Sequence, residues 1–138
     1  MRLSKKSKLE ARYSEPWIFK RCWLIRIIDG DTLVLFVDQG FRNFTLQHIR
    51  FKDIDTPELN SRNRKERRKA ILVGRYVQGL TAPYELFRPN PQGEYLSLIT
   101  WFDKTVARYV GDIILPDGEN LSQILLEKGY AKRVRRRK

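Results

Sequence analysis

Residues 17–51 read WIFKRCWLIRIIDGDTLVLFVDQGFRNFTLQHIRF, three runs rich in branched and aromatic side chains with a break after each of the first two. Trp17 to Ile28 is apolar and suited to a strand, and Asp29-Gly30 interrupts it. Thr32 to Val37 resumes the pattern, and Asp38-Gln39-Gly40 carries turn chemistry. Phe41 to Phe51 is a third strand. Short turns between successive strands predict an antiparallel meander.

The period changes downstream. Between Asn60 and Leu80 the apolar residues Ala70, Val73, Val77 and Leu80 recur at helical spacing. At about 100° per residue, Arg64, Arg68 and Arg75 fall together on the opposite side, as a solvated face or a phosphate-binding one. Thr81 to Gly93 contains Pro83, Pro89 and Pro91 and reads as a loop. Tyr95 to Phe102 and Val106 to Leu115 are the fourth and fifth strands, followed by the turn Pro116-Asp117-Gly118. Asn120 is placed as an N-cap with Gln123 completing a capping box. Leu121, Ile124 and Leu125 give this second helix its apolar face, and Gly129 ends it. Three strands, a helix, two strands and a helix predict an α+β fold: a five-stranded OB-fold β-barrel with helices after strands three and five. The expected organisation is a basic N-terminal arm over 1–16, one domain over 17–132, and a basic tail over 133–138.

The chain has 138 residues, enough for one domain with a real core and no disulfides. Its net charge of +12 favours a polyanionic partner, with nucleic acid ahead of an anionic membrane. Charge serving solubility alone is the bland alternative. The basic tail lacks the apolar face of an interfacial helix, so no membrane partner is expected. Cys22 is the single cysteine, which excludes an internal disulfide and a Cys-rich zinc site. It lies in an apolar run and reads as a small buried hydrophobe. No apolar h-region follows the basic start, and no run approaches the ~20 apolar residues of a membrane span. A soluble, cytoplasmic monomer is expected.

The chemistry concentrates in two acidic motifs. Asp29-Gly30-Asp31-Thr32 alone is a weak signal, since Asp-Gly between strands is more often a hairpin turn than a site. Asp55-Thr56-Pro57-Glu58 alone reads equally as turn chemistry. Together, Asp31 and Asp55 sit at strand–loop boundaries that a barrel brings into proximity. Two close carboxylates repel, and a hard divalent cation relieves that repulsion. Thr56 would add a backbone carbonyl, and Glu58 beside them is a candidate general base. Arg50 precedes Asp55 on the strand feeding the same loop, and Arg108 lies on the later strand. Guanidinium groups match phosphate geometry and stay charged. His48 shares strand parity with Arg50 but has no metal-ligand partner in sequence, and reads as structural. Trp17, Trp23 and Trp101 read as core or barrel surface.

These motifs resemble the staphylococcal nuclease (thermonuclease) family. The likeness is carried by Ile28-Asp29-Gly30-Asp31-Thr32, Arg50, Asp55-Thr56-Pro57-Glu58, Asp103-Lys104 before Arg108, and Asp117-Gly118 with Gly129-Tyr130-Ala131-Lys132. It runs from about Trp17 to Lys132. It implies an OB-fold barrel and a calcium-dependent endonuclease acting on DNA and RNA with low sequence specificity. By resemblance, Asp31 and Asp55 are the Ca2+ carboxylates and Thr56 gives a carbonyl to the ion. Glu58 is the base, and Arg50 and Arg108 bind phosphate. Arg64, Arg68, Arg75, Arg133 and Arg135 are expected to contact nucleic acid. Nonenzymatic nucleic-acid-binding modules also occur in the family and form the alternative reading. The segment Asp103-Lys104-Thr105-Val106-Ala107-Arg108 is one residue longer than the family's Asp-Lys-Tyr-Gly-Arg. A one-residue slip turns strand side chains to the other face.

Overall fold

The computed structural model describes residues 15–88, 93–103 and 108–134. Its first three strands fall on the three runs of the opening stretch: β1 (Trp17–Asp29), β2 (Thr32–Asp38) and β3 (Phe44–Phe51). Leu33, Leu35 and Val37 alternate inward on β2 and are fully buried, so the period of two marks the core side. The strands pair antiparallel in sequence order, as expected of a meander. β1 also pairs with a second neighbour, and its register shifts near Leu24, Ile27 and Phe19 mark bulges that bend it.

The third strand starts later than the expected Phe41. Gly40, Phe41 and Arg42 all have positive φ, which no strand residue adopts. The Asp38 carboxylate accepts from Gly40 N at 2.8 Å, and Asn43 N donates to the Gly40 carbonyl at 2.9 Å, closing the turn. Phe41 is consequently 98% exposed at its tip.

After β3 comes the two-residue strand β4 (Ile54–Asp55), then helix α1 (Arg64–Thr81). The helix begins at Arg64, not Asn60, because the Asn63 side chain accepts from Lys65 N and Glu66 N and caps it there. Ala70, Val73 and Val77 are buried as the spacing predicts. The helix runs one residue past Leu80, and the buried Thr81 returns its hydroxyl to the Val77 carbonyl at 2.8 Å. The expected loop then opens with a 3-10 turn, Ala82–Tyr84.

Strands β5 (Leu96–Asp103) and β6 (Arg108–Ile114) complete a closed barrel in the order β1-β2-β3-β6-β5. Neighbours are antiparallel except β3 and β6, which run parallel through Arg50–Val110 and Phe51–Gly111. The α+β, OB-like barrel with helices after its third and fifth strands matches the expected architecture. Helix α2 (Leu121–Glu127) buries Leu121 and Leu125 completely. Its capping box is half formed. Asn120 accepts from Ser122 N, whereas Gln123 reaches forward to Glu127 at 3.4 Å and not back to the cap. Gly129, at φ 74, ends the helix with Gly129 N to Leu126 O and Tyr130 N to Leu125 O, the Schellman arrangement.

The last strand, β7 (Lys132–Arg133), pairs with β4 outside the barrel. The segment read as the start of a tail is therefore tied to the loop carrying Asp55. Residues 1–14 of the expected arm and 135–138 of the tail lie outside the described residues. Cys22 is fully buried, and burial first, then the Asp38 charge, pushes its thiol up to about 12. It is inert at neutral pH. Among the described residues, no helix is long and apolar enough to cross a membrane.

Asp112 on β6 hydrogen-bonds the Asn120 cap, yet burial raises its carboxyl above the ordinary carboxylate value, with Asp53 adding to the rise and Lys52 opposing it. The folded chain therefore holds this proton to higher pH than the unfolded chain. Stability falls as pH rises between the ordinary and the raised value, and stays lower above it. Asp112→Asn is expected to melt higher than the parent at neutral pH, with the gap closing below the ordinary carboxylate range. Scanning calorimetry across that range checks it; a gap that ignores pH refutes it.

Candidate active site

The β1–β2 hairpin and the end of β3 meet through backbone bonds. Thr32 pairs with Arg50, and Phe51 N donates to the Asp31 carbonyl at 2.8 Å. Asp31 is thereby held beside Arg50, 7% exposed. Its Oδ1 accepts from the Thr32 hydroxyl at 3.1 Å and its Oδ2 from Thr56 N at 3.3 Å. The second acidic motif is thus tied directly to the first.

Arg50 stands between the two motifs. Its Nη2 donates to Asp55 Oδ1 and lies 3.6 Å from Asp31 Oδ2. Asp55 itself is fixed by Lys132 across the β4–β7 pair, and Val134 N donates to the Asp53 carbonyl at 2.9 Å. The chain's C-terminal strand therefore sets the position of an acidic side chain more than seventy residues earlier.

Glu58 is exposed on the loop before α1. Glu66, in the helix's first turn, accepts from Glu58 N at 3.5 Å and from the Ser61 hydroxyl. Those two donors, Ser61 foremost, hold the Glu66 carboxyl below its ordinary value. Glu66 is a positioning residue that the sequence reading missed; its first-turn place signals only helix-dipole complementarity.

These groups surround one cavity of about 600 Å³, lined among others by Asp29, Asp31, Arg50, Asp55, Thr56 and Glu58. His48 and Glu66 also line it, as the strand parity of His48 with Arg50 allows. Asp29 was legible only as a turn residue. Burial first, then the Asp31 and Glu58 charges, raise its carboxyl, while the Gly30 N–H and Arg50 pull it down. The Asp29 carboxyl thus feels two neighbouring carboxylates and the Arg50 guanidinium at once.

Gly30 explains how the motifs come so close. A Cβ there would stand 2.8 Å from Val73 Cγ1 and 2.9 Å from Thr56 Oγ1. The turn needs glycine for space, since α1 and the Asp55 loop both press on it.

A second, adjoining cavity of about 490 Å³ shares Asp55, Thr56 and Glu66 and is edged by Lys65, Lys69 and Lys132. These lysines border the neighbouring cavity, while Arg50 lies within the acidic one. Arg64, Arg68 and Arg75 are exposed on α1 but line neither cavity, and Arg133 is exposed on β7. Helical spacing shows which residues share a face, not which face borders the site. Arg108 opens β6, its backbone paired with Asp103 and two residues before the Val110 that pairs with Arg50. Its side chain and Arg135 lie outside the described residues. At the other end of the barrel, a cavity of about 480 Å³ walled by Trp17, Phe19, Gln47 and Tyr109 has no charged side chain in its lining among the described residues. The carboxylates and Arg50 gather at the Asp31 end.

The fold and site define an OB-like barrel with an acidic, arginine-centred cavity at one end. No protein-family model matches the chain, and no curated protein matches it.

The donors suit a hard cation. Asp31 and Asp55 supply carboxylates, and Thr56 Oγ1 is buried without a hydrogen-bond partner beside them. Among the described residues, no group of three or more His, Cys, Asp or Glu side chains is already gathered as a metal cluster. The Arg50 guanidinium occupies the position between the two carboxylates and neutralises them there.

Proposed function

We propose that this protein is a calcium-dependent endonuclease that hydrolyses phosphodiester bonds of DNA and RNA with low sequence specificity. The observation that carries the reading is convergence. Asp31, Arg50, Asp55, Thr56 and Glu58 come from three separate segments and line one cavity. The resemblance of the same residues to the staphylococcal nuclease family supports it, as does the net charge of +12.

Asp31, Asp55 and Thr56 would hold the ion. Bound there, calcium supplies Lewis-acid stabilisation of the phosphate and relief of carboxylate repulsion. Arg50 turns from the carboxylates to a phosphate oxygen. Its Nε is buried without a partner, which leaves a donor for that contact. Glu58, exposed at the cavity rim, takes the proton from the attacking water. The new O–P bond forms as the ester P–O bond breaks, the leaving oxygen takes a proton from solvent water, and Glu58 returns its proton to solvent. Contacts of this kind address the phosphate and carry no base information.

Cleavage of single-stranded DNA is expected in calcium and not in chelator. Glu58→Gln is expected to lower the rate by about 100- to 10,000-fold, the usual contribution of a general base. Substrate binding in chelator should hold. Gel-based cleavage and fluorescence anisotropy read the two quantities. Wild-type protein inactive in calcium would sink the enzyme reading.

A second reading is a nonenzymatic nucleic-acid-binding module. It is favoured by the engagement of Arg50 with Asp31 and Asp55 in place of solvent. It predicts calcium-independent binding, unchanged in Asp31→Ala, with no turnover.

A further inference from the structure

The outward face of β1, β2 and β3 carries a stacked aromatic row that the proposed chemistry does not use. Trp23, Phe36 and Leu46 pair directly across the three strands. Tyr95 meets the Trp23 ring edge-on at 5.1 Å, and Phe36 stacks on Phe44 at 5.1 Å and 12°. The Arg21 guanidinium lies 5.8 Å from the Tyr95 ring centre. Phe44 and Leu46 are 50% and 58% exposed, a cost in water that a monomer does not need to carry.

The next row toward the cavity is Arg26, Val34 and His48. Arg26 and His48 are exposed, and His48 also lines the acidic cavity. The row after that holds Thr32 and Arg50, at the cavity itself. Same-face rows along a strand are about 6.8 Å apart, so the Phe36 row stands about 13 Å from Arg50. Asp38, paired with Phe44, lies at the end remote from the cavity, and Asp29, paired with Thr32, lies at the cavity end beside Arg50.

We propose that this face binds single-stranded nucleic acid, stacking bases on Phe44, Phe36 and Trp23 and delivering the strand past Arg26 and His48 to the cavity. Aromatic platforms flanked by cations hold single strands in this way, and sequence tolerance follows because every base has a π-face. The charge of the chain selects this occupant over an uncharged protein surface. The delivery step rests on the nuclease reading; the binding step does not.

The test uses the full chain, a labelled oligothymidylate in chelator, and a nitrophenyl diester of thymidine monophosphate in calcium. Phe44→Ala is expected to weaken oligothymidylate binding by about 5- to 150-fold, the loss of one stacked base, with hydrolysis of the small diester unchanged. Arg26→Ala is expected to lower the log–log salt slope by about 0.7, whereas Lys128→Ala, which removes a charge on the α2 side, should not. Circular dichroism checks that each variant folds. A folded Phe44→Ala with parental oligothymidylate affinity overturns the proposal. Phe44→Ala that instead abolishes self-association in sedimentation, with binding intact, gives the face to a second copy and overturns it equally. Wild type that hydrolyses neither substrate, while Phe44→Ala still loses binding, removes the nuclease reading and leaves the platform standing.

Discussion

Arg50→Ala is expected to lower phosphodiester cleavage by about 100- to 1,000-fold, the effect of removing one preorganised donor from a developing oxyanion. The side chain has two employments. Without a phosphate it bridges Asp31 and Asp55, and its charge lowers Asp29. With a phosphate it is the described cation best placed to meet the nonbridging oxygens. Removing it leaves the acidic wall of the cavity without its central countercharge. A stability loss of about 1–2 kcal/mol follows in chelator, kept small because the Asp55 side chain is 48% exposed and water takes over part of the role.

Calcium separates this account from a merely structural arginine. On the proposed reading, the guanidinium and a calcium ion would compete for the same carboxylate oxygens. Removing the guanidinium should therefore strengthen calcium binding while destroying turnover. An ion at one hundred times its Kd stabilises a folded chain by about 2.7 kcal/mol. The melting-temperature rise on adding a fixed calcium concentration should be larger in Arg50→Ala than in the parent. Thermal melts with and without chelator, beside cleavage assays, give both numbers. An Arg50→Ala protein that retains parental cleavage, or gains less from calcium than the parent does, contradicts the assignment.

The parts of this fold legible in the sequence are those governed by short-range period. Thr32 to Val37 announces β2 by its branched and aromatic side chains, of which Leu33, Leu35 and Val37 fill the core. Val73 and Val77 announce α1 by their helical spacing. The two acidic motifs were legible because each combines carboxylates with turn residues at a strand end. Phe41 and Arg42 were not legible as a turn, since neither residue type favours positive φ and both continue the run of β3. β4 and β7 have two residues each, too few to show a period, yet they fix Asp55. Lys65 and Lys69 line the adjoining cavity, and Arg64 and Arg68 are exposed and line neither. Which helix face borders the cavities depends on the rotation of the helix against the barrel, which helical spacing does not encode. Whether His48 lines the cavity depends likewise on where it opens.

Gly30→Ala is expected to destabilise the protein by about 1–3 kcal/mol, the range for forcing a methyl group into a filled space. The backbone there is not in the left-handed region, so alanine meets no conformational penalty and the whole cost is steric. The intruding Cβ would fall within 3.0 Å of both Val73 Cγ1 and Thr56 Oγ1. Val73 is fully buried in α1 and has nowhere to retreat. The easier movement is that of Thr56, which swings its backbone N–H from Asp31 Oδ2 and carries Asp55 with it. Activity should then fall further than stability, because the carboxylates lose their mutual spacing while the barrel survives. Gly74→Ala provides the contrast within the opposing helix. Nothing lies within 4 Å of its Cβ position, and alanine gains about 0.5–1 kcal/mol over glycine in a helix interior. Urea unfolding of both variants should therefore give shifts of opposite sign. The same glycine-to-alanine change would stabilise where only the helix is concerned and destabilise where helix, hairpin and acidic loop meet. Equal shifts would mean that the close approach at Gly30 does not hold the site together.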